Sequence, residues 1–402
     1  MSPQFARRMA GLQKSFIREI LKVTESPDVI SFAGGLPNPR FFPVEEIKEA
    51  CSRVLKEHGR EALQYRTTEG FLPLREQIAD RYALHGVHVS PDQILITTGS
   101  QQGIDLVGKI FLNEGDRVVL ERPSYLGAIQ ALGLYQPKFR VVTLEDEGCD
   151  VEELRSQALT GLKLMYSVPN FQNPSGISYS VSRREEAAEV LAQTNAVFLE
   201  DDPYGELRFR GVRAASMRKF LKDQAILLGS FSKVVSPGLR LGWIAAGAAV
   251  MEKLIIAKQA SDLHSSSLEQ RVVHRYLLDN DLDTHLSRIR IAYGRQRDAM
   301  VHMLDTYCPT GVTCTRPEGG MFLWVTLPPG ISSMNLFNLA VKENVAFVPG
   351  HPFYVDGGGD STLRLNFSNT DEARIEEGIK RLGRAMCRLL EQGTPVTRPS
   401  AK

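Results

Sequence analysis

The residues best suited to chemistry lie together in Ser230-Phe231-Ser232-Lys233-Val234-Val235-Ser236-Pro237-Gly238-Leu239-Arg240. Lys233 stands among hydroxyls and small residues just after the apolar run 225–228, which predicts a buried strand. Residues 229–233 then leave the sheet at its carboxyl end, where open α/β sheets bind ligands. Desolvation and a neighbouring cation, here Arg240, both favour a neutral amine, the form that condenses with an aldehyde to make a Schiff base. Serine hydroxyls and a guanidinium complement phosphate oxygens. A phosphorylated aldehyde needs both features, and pyridoxal phosphate is the biological example. The alternative is a solvated loop lysine flanked by turn-forming serines.

Four further clusters add to this one. Thr97-Thr98-Gly99-Ser100-Gln101-Gln102-Gly103 joins a strand to a helix, so its leading amides, the helix dipole and the Ser100 hydroxyl suit an anion; the same residues also suit a plain N-cap. Asp201-Asp202-Pro203-Tyr204 ends an apolar strand with a carboxylate able to pair with a protonated pyridine nitrogen, or able to cap a turn. In the turn-rich segment 168–176, Asn173 offers an amide donor for a phenolic oxygen or serves the turn alone. After Glu121-Arg122-Pro123-Ser124, Tyr125 either stacks on a planar ring or packs in the core.

The elements that must position these residues are legible as apolar strand-like runs at 93–97, 117–120, 139–142, 162–166 and 196–200, alternating with helical periodicity. That pattern predicts a parallel sheet covered by helices on both faces. From about 245 to 305 the pattern becomes helical, and strands near 320–327, 345–348 and 362–367 mark a second unit. A chain of 402 residues, 43% hydrophobic and 24% charged, is long enough for a large core and two domains. The expected division is an N-terminal helix or lid segment at 1–30, a large cofactor-binding domain at 31–300 whose first part can pack with the small domain, and a small domain at 301–402.

A net charge of +1 gives no general drive toward nucleic acid or anionic membrane. Five cysteines, an odd number without Cys-x-x-Cys spacing, argue against a disulfide framework or zinc site and for a reducing compartment. His85 and His88 are three apart, and no acidic or cysteine partners cluster with them, so no metal site is predicted. No stretch approaches the roughly 18 apolar residues of a spanning helix, and residues 1–22 lack the apolar core of a signal peptide. A soluble cytoplasmic protein is expected.

In their order these segments resemble the class I aminotransferases of the fold-type I pyridoxal phosphate family across nearly the whole chain. The resemblance includes Ile30-Ser31-Phe32-Ala33-Gly34-Gly35-Leu36-Pro37, Leu63-Gln64-Tyr65-Arg66-Thr67-Thr68-Glu69-Gly70, Glu318-Gly319-Gly320-Met321-Phe322 and Thr362-Leu363-Arg364-Leu365-Asn366-Phe367-Ser368. In pattern it looks most like the branch with 2-aminoadipate and kynurenine aminotransferases. It implies an α/β fold, a mostly parallel sheet sandwiched by helices plus a smaller α+β domain. It implies pyridoxal 5'-phosphate as cofactor, an L-amino acid and a 2-oxo acid such as 2-oxoglutarate as substrates, and a homodimer with shared sites. Neither a nucleic acid nor a membrane is an expected partner.

By the same resemblance Lys233 is the Schiff-base lysine and proton carrier, Asp201 the partner of the pyridine nitrogen, and Asn173 and Tyr204 the pair on the phenolic oxygen. Tyr125 stacks on the ring; Ser100, Gln101, Ser230, Ser232 and Arg240 hold the phosphate, joined by Tyr65 from the neighbouring subunit. Arg364 grips the substrate α-carboxylate as a fork that lysine cannot reproduce, with Asn173 and Gly35 beside it. Ser15-Phe16-Ile17-Arg18-Glu19-Ile20-Leu21 resembles the branch's N-terminal helix, in which Arg18 meets an acidic substrate side chain; the alternative for Arg18 is a solvated helix face. Pro203 stands where the family more often has a small residue. Two other readings are a different reaction on the same cofactor, carbon–sulfur lyase or oxidative, and a non-catalytic regulator, for which 30 residues before Ser31 are too few to hold a DNA-binding module.

Overall fold

The computed structural model describes residues 4–9, 20 and 28–393. A short strand, β1 (Ile30–Ser31), precedes an eight-stranded sheet built from β2 (Ile94–Thr97), β3 (Arg117–Arg122), β4 (Lys138–Glu145), β5 (Gly148–Cys149), β6 (Leu162–Ser167), β7 (Val197–Asp201), β8 (Ala225–Ser230) and β9 (Gly242–Ala245). Their order is β2-β9-β8-β7-β6-β3-β4-β5. The run from β4 through β3, β6 and β7 to β8 is parallel, whereas β9 and β5 are antiparallel to their neighbours.

Burial explains the strand sequences. Every residue of β2 and β8 is buried, as expected when helices cover both faces and a strand needs no polar side. Near the sheet edge β4 instead alternates exposed and covered positions. The chain switches direction across the sheet between β3 and β6, and ligands of open α/β sheets settle outside the carboxyl ends of the strands at such a point.

Three helices, Ala248–Asp262, Ser267–Asp279 and Leu282–Tyr307, occupy the region expected to be helical. The last of them, about 39 Å long at helical rise, packs along the C-terminal helix Glu372–Gly393. A second sheet of β10 (Thr313–Cys314), β11 (Phe322–Thr326), β13 (Val348–Pro349) and β14 (Thr362–Asn366) is antiparallel. Between them β12 (Val345–Ala346) pairs in parallel with β1, which fastens the early chain to this second unit. The sequence pattern did not mark β5, β9 or β10, which are two to four residues long.

Candidate active site

The carboxyl ends of β2, β3, β6, β7 and β8 deliver Ser100, Tyr125, Asn173, Asp201 and Lys233 to one region. The Lys233 ammonium donates to the Gly35 carbonyl at 2.9 Å, so the segment after β1 closes over it. Desolvation above all, then Arg364 and Arg240, bring its pKa down to about 8. The neutral fraction near physiological pH is therefore far larger than for an ordinary lysine.

Asp201 is buried at the end of β7 and accepts a hydrogen bond from the Tyr166 hydroxyl at 2.8 Å on Oδ2. Its Oδ1 is buried without a partner. Burial pushes the carboxyl up to about 7, opposed by the Tyr166 hydrogen bond. Asp202 plays the turn role that the sequence left open for this pair: its Oδ1 accepts from the Gly205 amide at 2.8 Å. Pro203 lies between Asp201 and Tyr204, both of which remain in the cluster.

Asn173 joins two groups. Its Nδ2 lies 3.4 Å from the Tyr204 hydroxyl and its Oδ1 accepts from Arg364 Nη1 at 2.8 Å. Arg364 also donates to the Ala33 carbonyl at 2.7 Å, and its guanidinium carbon lies 4.4 Å from the centre of the Phe322 ring and 5.4 Å from that of Phe353. It sits on β14 opposite Trp324 and beside Val348. Burial lowers its pKa to about 10, and its Nε is buried without a partner. A buried cation of this kind is costly unless an anion meets it.

At the start of the helix Ser100–Phe111 the cap residue is Gly99, at φ 79°, with no side-chain cap bond. The positive φ calls for glycine, and a Cβ there would displace Arg240 Nη2, which lies 2.8 Å from its position. Arg240 thus lies against the helix N-terminus, whose amides and dipole favour an anion. Ser230 ends β8 and its Oγ accepts from the Ser232 amide at 3.1 Å. Gln101 donates to the Gly127 carbonyl at 2.7 Å and lies 3.4 Å from the Tyr125 hydroxyl. Tyr125 is half-buried beside this cradle, and its phenol is pushed up to about 12 by burial.

One expected residue is not brought here by this chain. Tyr65 is 76% exposed and meets His264 edge-on rather than the cluster. Arg18 lies outside the described residues.

Sequence reasoning missed Tyr166 and the buttress around Lys258. That fully buried ammonium donates to Gln102 Oε1 and Asp262 Oδ1, both at 2.9 Å, behind the helix that starts at Ser100. The Lys258/Asp262 spacing of four on a helix was a usable signal. His85 has an acidic neighbour after all, Glu206 at 3.3 Å, contributed from a distant part of the chain. Among the described residues no group of three or more His, Cys, Asp or Glu is placed to hold a metal ion. A cavity of about 260 Å³ is lined by Tyr82, Phe231, Trp243 and Glu206, but Lys233, Asp201 and Arg364 are not in its wall.

The two unpartnered buried atoms, one acidic and one cationic, fit a ring that presents a protonated nitrogen and a substrate that presents a carboxylate. The cradle of Ser100, Ser230 and Arg240 fits a phosphate.

The family model described as aminotransferase class I and II matches residues 27–382. Over 394 residues the chain is 45% identical to 2-aminoadipate transaminase of Thermus thermophilus, covering 97% of this chain and 98% of that one. Identity to aromatic-amino-acid aminotransferase 1 of Thermococcus litoralis is 43% over 389 residues, with 94% and 93% covered. The fold is similar to the crystal structure of LysN, the α-aminoadipate aminotransferase of Thermus thermophilus, complexed with N-(5'-phosphopyridoxyl)-L-leucine. That likeness has a TM-score of 0.90 at 45% identity and covers 96% of this chain and 98% of the other.

Proposed function

The chain belongs to the class I and II aminotransferases, enzymes that use pyridoxal phosphate, and from that premise we propose which residues carry its transamination and which substrates it takes. When bound, the cofactor supplies an electron sink that stabilises negative charge at the substrate Cα. Lys233 would hold the cofactor covalently through its amine, and the same amine would carry the proton at the substrate Cα. Asp201 keeps the pyridine nitrogen protonated, Asn173 and Tyr204 donate to the phenolic oxygen, and Tyr125 covers the ring. Ser100, Gln101, Ser230, Ser232 and Arg240 hold the phosphate. Arg364 orients the α-carboxylate beside Asn173 and Gly35. The observation that carries this assignment is the pairing of a buried carboxylate with one free oxygen, Asp201, and a lysine whose proton affinity is depressed, Lys233.

For substrates we take 2-aminoadipate, glutamate and aromatic or branched-chain L-amino acids as donors and 2-oxoglutarate as acceptor, supported by the 2-aminoadipate and aromatic specificities named for the relatives. We further take the enzyme to be a cytoplasmic homodimer; the free cysteines support a reducing compartment. No described helix is long and apolar enough to cross a membrane.

Lys233→Ala is expected to abolish conversion of added amino acid to 2-oxo acid and the matching formation of pyridoxamine phosphate. Near-normal conversion by that variant would overturn the assignment. The substrate class has its own test in Arg18. Removing a desolvated charged contact costs about 1.5–3 kcal/mol, roughly 10- to 150-fold in rate, so Arg18→Ala should lose that much kcat/KM for 2-aminoadipate while leucine and phenylalanine are spared. Equal losses for both classes would assign Arg18 a structural role instead.

A further inference from the structure

Tyr166 is fully buried in β6, and β6 pairs in parallel with β7 so that Tyr166 lies opposite Leu199. Asp201 is two residues beyond Leu199 and therefore on the same face of the sheet as Tyr166. The tyrosine hydroxyl spans that offset to donate to Asp201 Oδ2 at 2.8 Å, while Oδ1 has no partner. Among the described residues this is the one hydrogen bond made to the Asp201 carboxylate. We propose that Tyr166 is a positioning residue of the reaction: its hydroxyl anchors one oxygen of Asp201, turns the other toward the cofactor's ring nitrogen, and keeps the carboxylate charged so that the nitrogen stays protonated. This rests on the reading of Asp201 as the nitrogen's partner.

A hydrogen bond to the charged form of a carboxylate favours that form, and here it is the largest influence opposing a burial that otherwise drives Asp201 toward neutrality. Asp202, the other charge acting on Asp201, pushes in the same direction as burial, so no second group does Tyr166's work. The Tyr166 phenol cannot itself exchange roles with Asp201, because burial and the neighbouring Asp201 charge hold its proton on well above the usual phenol range. It is a permanent donor.

The test uses Tyr166→Phe and Asp201→Ala holoenzymes reconstituted with cofactor isotopically labelled at the ring nitrogen, whose NMR shift reports its protonation. Tyr166→Phe is expected to lower the pH midpoint of nitrogen deprotonation by about one unit, a tenfold shift in the equilibrium, and to lower kcat with KM nearly unchanged. Its affinity for the deaza analogue, in which CH replaces the ring nitrogen, should match that of the parent protein. If Asp201→Ala moves the resonance and Tyr166→Phe does not, the proposal falls while the reading of Asp201 stands. If neither moves it, the reading of Asp201 falls as well. Should Tyr166→Phe fail to bind the deaza analogue, fluorinated tyrosines at position 166 decide: a midpoint that tracks the acidity of the phenol supports the role, and an unmoved midpoint overturns it.

Discussion

Lys233 ends between two guanidinium groups and a carbonyl, and that surrounding does more than its position in the chain to make it useful. Its pKa of about 8 lies below the ordinary lysine value of 10.5, so the amine becomes neutral as pH rises through about 8. Covalent capture of pyridoxal phosphate by cofactor-free protein should therefore accelerate with pH and level off with a midpoint near 8, followed by stopped-flow absorbance. Arg364→Met removes one of the two cations, so the midpoint should climb in that variant. A capture rate still rising steeply above pH 10 in the parent protein would contradict the depressed value. The same shift has a stability consequence of definite sign. Between about 8 and 10.5 the unfolded chain binds more protons at this lysine than the folded one, so this group makes the cofactor-free protein more stable as pH rises across that window.

Among the elements, β9 opens with a residue enclosed by backbone. A Cβ on Gly242 would meet the Gly229 carbonyl oxygen, the Gly99 carbonyl carbon and the Ser100 nitrogen, each at 2.8 Å and each backbone. Gly242→Ala should push the first amide of the helix Ser100–Phe111 out of place, at the usual cost of overpacking, about 1–3 kcal/mol. The expected result is at least about tenfold weaker cofactor binding, equivalent to about 1.4 kcal/mol, measured by equilibrium dialysis of the apoprotein; unchanged affinity would show that the helix start absorbs the methyl group. This strand was invisible to periodicity because Gly242-Trp243-Ile244-Ala245 is short, opens with glycine and carries no alternation. The inner parallel strands were legible for the opposite reason, since burial on both faces leaves continuous apolar runs ended by turn residues. Residues on those turns, Lys233 and Asp201 among them, could be found from type and place alone. Arg364 could not, because a lone arginine on a strand reads as a surface residue until Ala33, Phe322 and Asn173 arrive from far along the chain. Tyr166 escaped notice because its strand looked like core, although a buried tyrosine hydroxyl usually has a partner to explain.

For the molecule as a whole, the proposed dimer has its test at Tyr65, which is exposed in the single chain. The proposal gives this aromatic a place at the phosphate of a second subunit. Tyr65→Phe subunits mixed with Lys233→Ala subunits should form hybrids in which one of the two sites carries neither change. A gain in activity over the unmixed proteins, measured after confirmed subunit exchange, is the expected result; absence of any gain would place Tyr65 outside its neighbour's site. The pairing of β1 with β12 has a bearing on how the protein is made. Ala33, just after β1, and Arg364 are 331 positions apart, yet they share a hydrogen bond. A ribosome releases every residue from Ser100 to Arg240 before it has begun β12 or β14, so the residues proposed to hold the cofactor precede the arginine proposed to grip the substrate. During synthesis the early strand has to wait for its partner, and Gly35, whose carbonyl accepts a hydrogen bond from Lys233, waits with it. The contact that covers the Lys233 amine is thus tied to a strand made more than a hundred residues after it.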